Sequence, residues 1–299
     1  MKQSRYKIGI DLGGTKTEAI LLDPYNRETY RKRVQTPASS GYEAIIKSLC
    51  ELINDTRENI PPDQQYTIGI GIPGSVNVDT GLVQNANTTC LIGKLLKKDM
   101  ENFLDRQIEI ENDANCFTLA ESLSGAAKGY DLVFGIIMGT GCGGGICIDG
   151  EVRKGSHSIS GEWGHFSVDP FGAECYCGNR GCIETKISGG GVETSYAKEY
   201  GRRIAMKDIV EGYRTSEPSC VTIFESFLED FGRCLGGLIS ILDPDAVVIG
   251  GGLSNIPELY TIGYDRIKKY AFHADVKTPV LQNKLGDSAG VFGAAWIGK

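Results

Sequence analysis

The chain has 299 residues, 41% of them hydrophobic and 23% charged, with a formal net charge of −7. This is ordinary globular usage, which excludes wholesale disorder, and at about 150 residues per domain the length suggests two domains. No basic block stands out and no apolar run nears the roughly 20 residues that span a bilayer, so neither a nucleic-acid surface nor a membrane anchor is expected.

In chain order, strand and helix signals alternate, which predicts α/β architecture. Lys7–Asp11 and Ala19–Leu22 read as strands around a glycine turn, and Ile45, Leu49, Leu52 and Ile53 recur at helical spacing. Thr67–Ile72 and Ile108–Ile110 read as further strands. Cys116, Leu119, Ala120 and Leu123 then mark one helical face. Leu132–Met138 is almost continuously apolar, as in a buried central strand. The strongest helix signal runs from Phe224 to Leu242, ends at Asp243-Pro244, and is followed by a short buried strand, Ala246–Ile249. A strand followed by a glycine turn occurs at Ile8–Thr15 and again at Ile136–Gly145, which suggests two similar halves dividing near residues 113–116.

Glycine is the compositional outlier, 40 of 299 residues against an average of about 7%. Three glycine turns follow apolar strands: Asp11–Thr15, Gly139–Gly145 and Gly250–Gly252. Each either reverses the chain or offers successive N–H groups to phosphate oxygens, and their recurrence favours the second. Gly139–Gly144 fits G-x-G-x-x-G, but an alternating strand closed by Asp149-Gly150 follows where a dinucleotide fold needs a helix. No P-loop motif is present. Asp11, beside the first turn, either caps it or meets phosphate through Mg²⁺, and Lys16 either faces solvent or adds positive charge there.

Ten cysteines in a chain whose first strand signal starts at Lys7 leave no room for a secretory leader, so reduced thiols in a cytoplasmic protein are expected. His165, Cys175, Cys177 and Cys182 match a closed Cys₃His zinc site, a structural arrangement. Glu162 and Glu184 flank this cluster as candidate acceptors for sugar hydroxyls. Asp113, in Glu111-Asn112-Asp113-Ala114-Asn115, either caps the following helix or acts as general base on a sugar hydroxyl attacking a γ-phosphate.

These segments, with Gly69–Gly74, Met138–Gly141, Gly161–His165 and Cys175–Glu184, resemble the ROK family of sugar kinases and repressors, collinearly over the whole chain. The resemblance implies an actin-like ATPase fold of the hexokinase superfamily, with two ribonuclease-H-like α/β domains around a cleft. Domain limits would be 1–113, with a last helix at about 287–299 packing back onto it, and 114–286, carrying the zinc loop at about 160–185. It implies Asp113 as catalytic base and Asn87, Asn112, Asp113, Glu162, His165 and Glu184 as sugar-binding residues, with His165 also on zinc. Asp11, Gly13, Gly14, Thr15, Lys16, Gly139, Thr140, Gly141, Gly250, Gly251 and Gly252 would bind ATP and Mg²⁺. A homodimer is expected on the same ground, whereas the short segment before the first strand disfavours the repressor branch. Val83–Thr89 and Gly286–Trp296 look most like the family's fructokinases, which implies fructose as substrate. N-acetylglucosamine kinases and glucokinases share most other motifs and remain alternatives, as does a non-catalytic sugar sensor.

Overall fold

The computed structural model describes residues 5–298; residues 1–4, which enter the reading of the N-terminus, and residue 299 lie outside the described residues. The chain forms two compact units. One comprises Met1–Ala120, Glu151–Ser160 and Asp287–Lys299; the other comprises Glu121–Gly150 and Gly161–Gly286.

The first unit is built on a five-stranded sheet in the order Glu28–Gln35, Lys16–Leu22, Tyr6–Leu12, Tyr66–Ile72, Glu109–Asn112. The first three strands pair antiparallel and the last three parallel. Ile8, Ile10, Ile68, Ile70 and Ile72 are buried against the helix Tyr42–Arg57, whose Ile45, Leu49, Leu52 and Ile53 supply the apolar stripe. The edge strand Glu28–Gln35 escapes sequence reading because it is polar and largely exposed along its length, with no period-two apolar signal.

Against the other face lies the last helix, Ala289–Ile297, with Val291 and Ala295 on Ile20 and Leu22. It approaches the sheet closely because the register partners Gly9 and Gly69 present bare backbone to it. A Cβ on Gly9 would collide with the carbonyl of Val291, and one on Gly69 with that of Ala294.

The second unit repeats the pairing pattern. Cys142–Ile148 lies antiparallel to Leu132–Met138, which runs parallel to Ala246–Gly250, itself parallel to Val280–Gln282. Two sheets with the same succession of antiparallel and parallel neighbours agree with the expected internal repeat. The core is dominated by the 25-residue helix Pro218–Leu242, whose Phe224, Phe227, Leu228, Phe231 and Leu235 are buried with Ile136, Val247 and Ile249. Glu217 caps it by accepting from the Cys220 N–H at 2.7 Å, and Asp243 ends it in the left-handed region, φ 48°. Among the described residues no helix is long and apolar enough to cross a membrane.

The glycine seat gives a direct test. Gly69→Val should lower stability by about 1–3 kcal/mol or more, since both colliding partners are backbone or packed side chain. A urea midpoint equal to that of the wild-type protein would contradict the described helix–sheet contact.

Candidate active site

In the first unit the candidate residues hang on the carboxyl ends of three adjacent parallel strands, the edge where α/β sheets gather ligands. Asp11 pairs in register with Gly71, and Ile72 with Asn112. Beyond Asp11 the chain turns tightly: Gly13 N–H donates to the Lys16 carbonyl at 3.0 Å, and Thr36 Oγ1 donates to the Gly13 carbonyl at 2.7 Å. Gly14, Thr15 and Lys16 are exposed on this turn.

Asn112 ends its strand and caps the helix that follows. Its Oδ1 accepts from the Ala114 N–H (2.9 Å) and the Asn115 N–H (3.2 Å), so Asn112 is the cap of the helix Asp113–Leu123. Asp113 is the first helical residue, and its Oδ1 also accepts from the Ala114 N–H at 2.8 Å. The Asn112 Nδ2 donates to the Gly74 carbonyl at 3.1 Å. Gly74 has φ +124°, and a Cβ there would sit 2.7 Å from the Gln84 carbonyl oxygen and 2.8 Å from the Ala86 Cα. This tight packing holds the segment that carries the exposed Asn87 beside the strand end.

Asp11 is the electrostatic outlier. Loss of hydration, together with the negative charges of Asp113 and Glu18, pushes its carboxyl up to about 7, and Arg33 offsets this only in part. Gly290, at the start of the last helix, lies so close that a Cβ on it would be 3.1 Å from Asp11 Oδ2. A carboxylate raised this far is poised to gain from a cation.

In the second unit, two glycine turns lie at the ends of neighbouring parallel strands. Gly139 N–H donates to the Gly141 carbonyl at 3.0 Å. The Gly139 and Thr140 carbonyls in turn accept from Gly189 N–H (2.8 Å) and Gly190 N–H (3.0 Å), where the helix Gly189–Tyr200 begins. Gly251, φ +77°, passes against the Met138 carbonyl, which leaves no room for a Cβ. Ser254 N–H and Oγ both donate to the Gly251 carbonyl, fixing the turn Gly250–Gly252.

Glu184 joins the middle turn to the cysteine loop. Its Oε2 accepts from the Cys142 N–H at 2.8 Å, and a Cβ on Gly141 would stand 2.6 Å from that oxygen. Glu184 also lines an open hollow of about 180 Å³ with Thr140, Cys175, Tyr176, Ser188 and Gly191. Burial and Glu184 raise the carboxyl of Glu162, and His165 partly offsets this.

The four metal-ligating candidates come together. The His165 nitrogen and the Cys175, Cys177 and Cys182 sulfurs all lie within 4.8 Å of one another. Cys175 Sγ is 3.6 Å from His165 Nδ1, and Cys177 Sγ is 3.6 Å from Cys182 Sγ. Bonds of about 2.0–2.3 Å in a tetrahedron imply ligand separations of about 3.3–3.8 Å, which the two 3.6 Å pairs match. A tight turn makes this possible: Gly178 N–H donates to the Cys175 carbonyl at 3.0 Å, with φ +93° at Gly178. His165 Nε2, on the other side of the ring, lies 3.0 Å from the Tyr176 hydroxyl. The sequence reading missed Tyr176, which carries no signal beyond its place between two cysteines. It also missed the Gly189–Gly191 helix start, because three glycines read as loop.

The repeated sheets fit an actin-like, hexokinase-type fold, and comparison with known proteins places the chain among the sugar kinases. A sequence profile of the ROK family matches residues 7–299, and the chain belongs to that family. It is 38% identical to an N-acetyl-D-glucosamine kinase of Yersinia pseudotuberculosis over 97% of each chain. Among solved structures it resembles the ROK hexokinase of Thermus thermophilus (TM-score 0.88, 29% identity, 98% and 97% coverage). It also resembles a ROK glucokinase of Streptomyces griseus in complex with glucose and AMPPNP (TM-score 0.79, 30% identity, 98% and 99% coverage). The expectation of fructose draws no support from these relatives.

The elevated Asp11 carboxyl sets a pH-dependence of stability. Its folded value lies above the ordinary 3.8, so the folded state binds the extra proton between about 4 and 7, and stability falls as pH rises through that window. Asp11→Asn removes this loss. The variant should match the wild type near pH 4 and exceed it at pH 8, by at most about 1.4 kcal/mol per pH unit of the window. Unfolding curves at both pH values check it; a stability difference that does not change with pH refutes the buried-carboxylate account.

Proposed function

We propose that this chain transfers the γ-phosphoryl group of ATP to the 6-hydroxyl of N-acetyl-D-glucosamine. The sugar follows from the 38% identity, over nearly the full length of both chains, to an enzyme of that name. The observation that carries the chemistry is Asp113. Asn112 performs the capping, and Asp113 opens the helix with Asp11 near enough to shift in its field.

In this reading Asp113 accepts the proton of the attacking hydroxyl. An aspartate suffices because phosphoryl transfer is loose and the proton leaves late, so positioning dominates. Asp11 would hold Mg²⁺, which when bound would spread the charge of the phosphates. In the first unit the N–H groups of Gly14 and Thr15, on the turn that Gly13 closes, with the charge of Lys16, are read as phosphate ligands; in the second unit Thr140, Gly141 and Gly250–Gly252, on turns that include the engaged Gly139, are read the same way. Asn87 and Asn112 in the first unit, and Glu162, His165 and Glu184 in the second, are the candidate sugar ligands. Glu184 would use the oxygen not bonded to Cys142, and a hydroxyl at His165 Nε2 would share or replace the Tyr176 phenol. Zinc, bound through His165 Nδ1 and the three thiolates, would hold the loop on which these sugar ligands ride.

Sugar-dependent ATP consumption with N-acetylglucosamine, glucose, mannose and fructose tests the reading. N-acetylglucosamine should give the highest kcat/KM. A higher value for fructose would overturn the sugar, and no turnover with any of the four would overturn the kinase assignment. Asp113→Asn should lower kcat by about 10²–10⁴-fold while calorimetry still detects sugar binding. Elemental analysis should find about one zinc per chain, lost in Cys177→Ser, with residues 160–185 becoming protease-sensitive on chelation. Protein purified metal-free with that loop still protected would refute the zinc site.

A further inference from the structure

Glu111 is buried, 7% exposed, at the end of the strand that delivers Asp113. Its Oε1 accepts from the Asn112 N–H at 2.9 Å and from Asn115 Nδ2 at 3.0 Å, so one oxygen clamps the chain on both sides of Asp113. Its Oε2 lies 2.9 Å from Nζ of Lys154, a half-exposed residue of the segment Glu151–Ser160 that belongs to this same unit. A carboxylate taken out of water needs a counter-charge, or it takes up a proton and loses acceptor strength. The buried thiol of Cys116 stands in the combined field of Glu111, Asp11, Asp113 and Lys154, which places all four groups in one neighbourhood.

We propose that Lys154 is a positioning residue for the transfer: its ammonium holds the Glu111 carboxylate, and the held carboxylate clamps the backbone on either side of Asp113 and sets its aim. The proposal rests on the reading of Asp113 as general base. Asp11, on the neighbouring strand, stands in the field of Asp113, Glu18 and Arg33, and Cys116, on the helix that Asp113 opens, in that of Glu111, Asp11, Asp113 and Lys154. Arg33 is paired with Glu18 at 2.9 Å, and Arg31 with Glu18 and Glu28. Lys154 is thus the cation paired with Glu111 itself. Without it, the unbalanced negative charge beside Asp113 raises the proton affinity of Asp113 and the clamp loses its anchor.

The test compares wild type, Lys154→Met and Lys154→Arg as full-length proteins, with kcat and sugar KM followed from pH 5.5 to 9. Lys154→Met should lower kcat at pH 7 about 10- to 100-fold with sugar KM little changed. It should also move the acid limb of kcat upward by about one pH unit, and Lys154→Arg should restore both. An unmoved limb, or wild-type kcat in a folded Lys154→Met, overturns the proposal. Should that variant not fold, the double variant Lys154→Met/Glu111→Gln, which deletes both charges, should fold with sugar KM little changed and kcat still lowered about 10- to 100-fold; wild-type kcat in it also overturns the proposal. A carboxyl NMR titration of Asp113 in wild type and Lys154→Met reads the same shift without catalysis. An inactive wild type whose Asp113 still shifts sinks the kinase reading alone, and an active one whose Asp113 does not shift sinks the role of Lys154.

Discussion

Parallel pairing brings successive strand ends to one edge of a sheet, and in each unit the candidate site residues depend on that constraint. Asp11, Gly71–Gly74 and Asn112-Asp113 lie on adjacent ends in the first unit, Gly139–Gly141 and Gly250–Gly252 on adjacent ends in the second. Residues scattered over a hundred positions of sequence become neighbours through register alone. The rigid strands behind them then hold them in place without any dedicated scaffold.

What such an edge collects in the first unit is mostly negative charge. Asp11, Glu18, Glu111 and Asp113 would be an unstable group in isolation, and the raised Asp11 carboxyl is the visible strain. The counter-charges come from elsewhere in the unit: Arg31 and Arg33 from the edge strand onto Glu18, Lys154 from a separate segment onto Glu111. A fold that tolerates such a cluster gives up stability there, the pattern that marks candidate ligand sites.

Much of this was legible beforehand. Leu132–Met138 was read with its observed limits, and the long helix ends at Asp243 as expected, because buried strands and amphipathic helices write their periods into the chain. The Cys₃His set was legible because few other reasons produce that spacing. What escaped was decided by tertiary context. Asn112 and Asp113 are both good caps by type, and only the backbone geometry assigns the cap to Asn112. Lys154 carries no local signal, since its partner lies 43 positions away on another element. The helix start at Gly189–Gly191 opposes propensity because a Cβ on Gly190 would sit 2.6 Å from the Thr140 carbonyl oxygen. The motif reading chose fructose where the full-length identity points to N-acetylglucosamine kinases, since sugar choice rests on pocket side chains that short motifs do not encode.

The strand Glu28–Gln35 closes one side of the first sheet with Arg31, Lys32 and Arg33 in succession. An intruding chain that added itself there would have to strip water from three consecutive cations, so that border resists fibril growth and strand exchange. Arg31 and Arg33, which balance Glu18, and Lys32, which pairs with Asp55, therefore also serve as gatekeepers against aggregation.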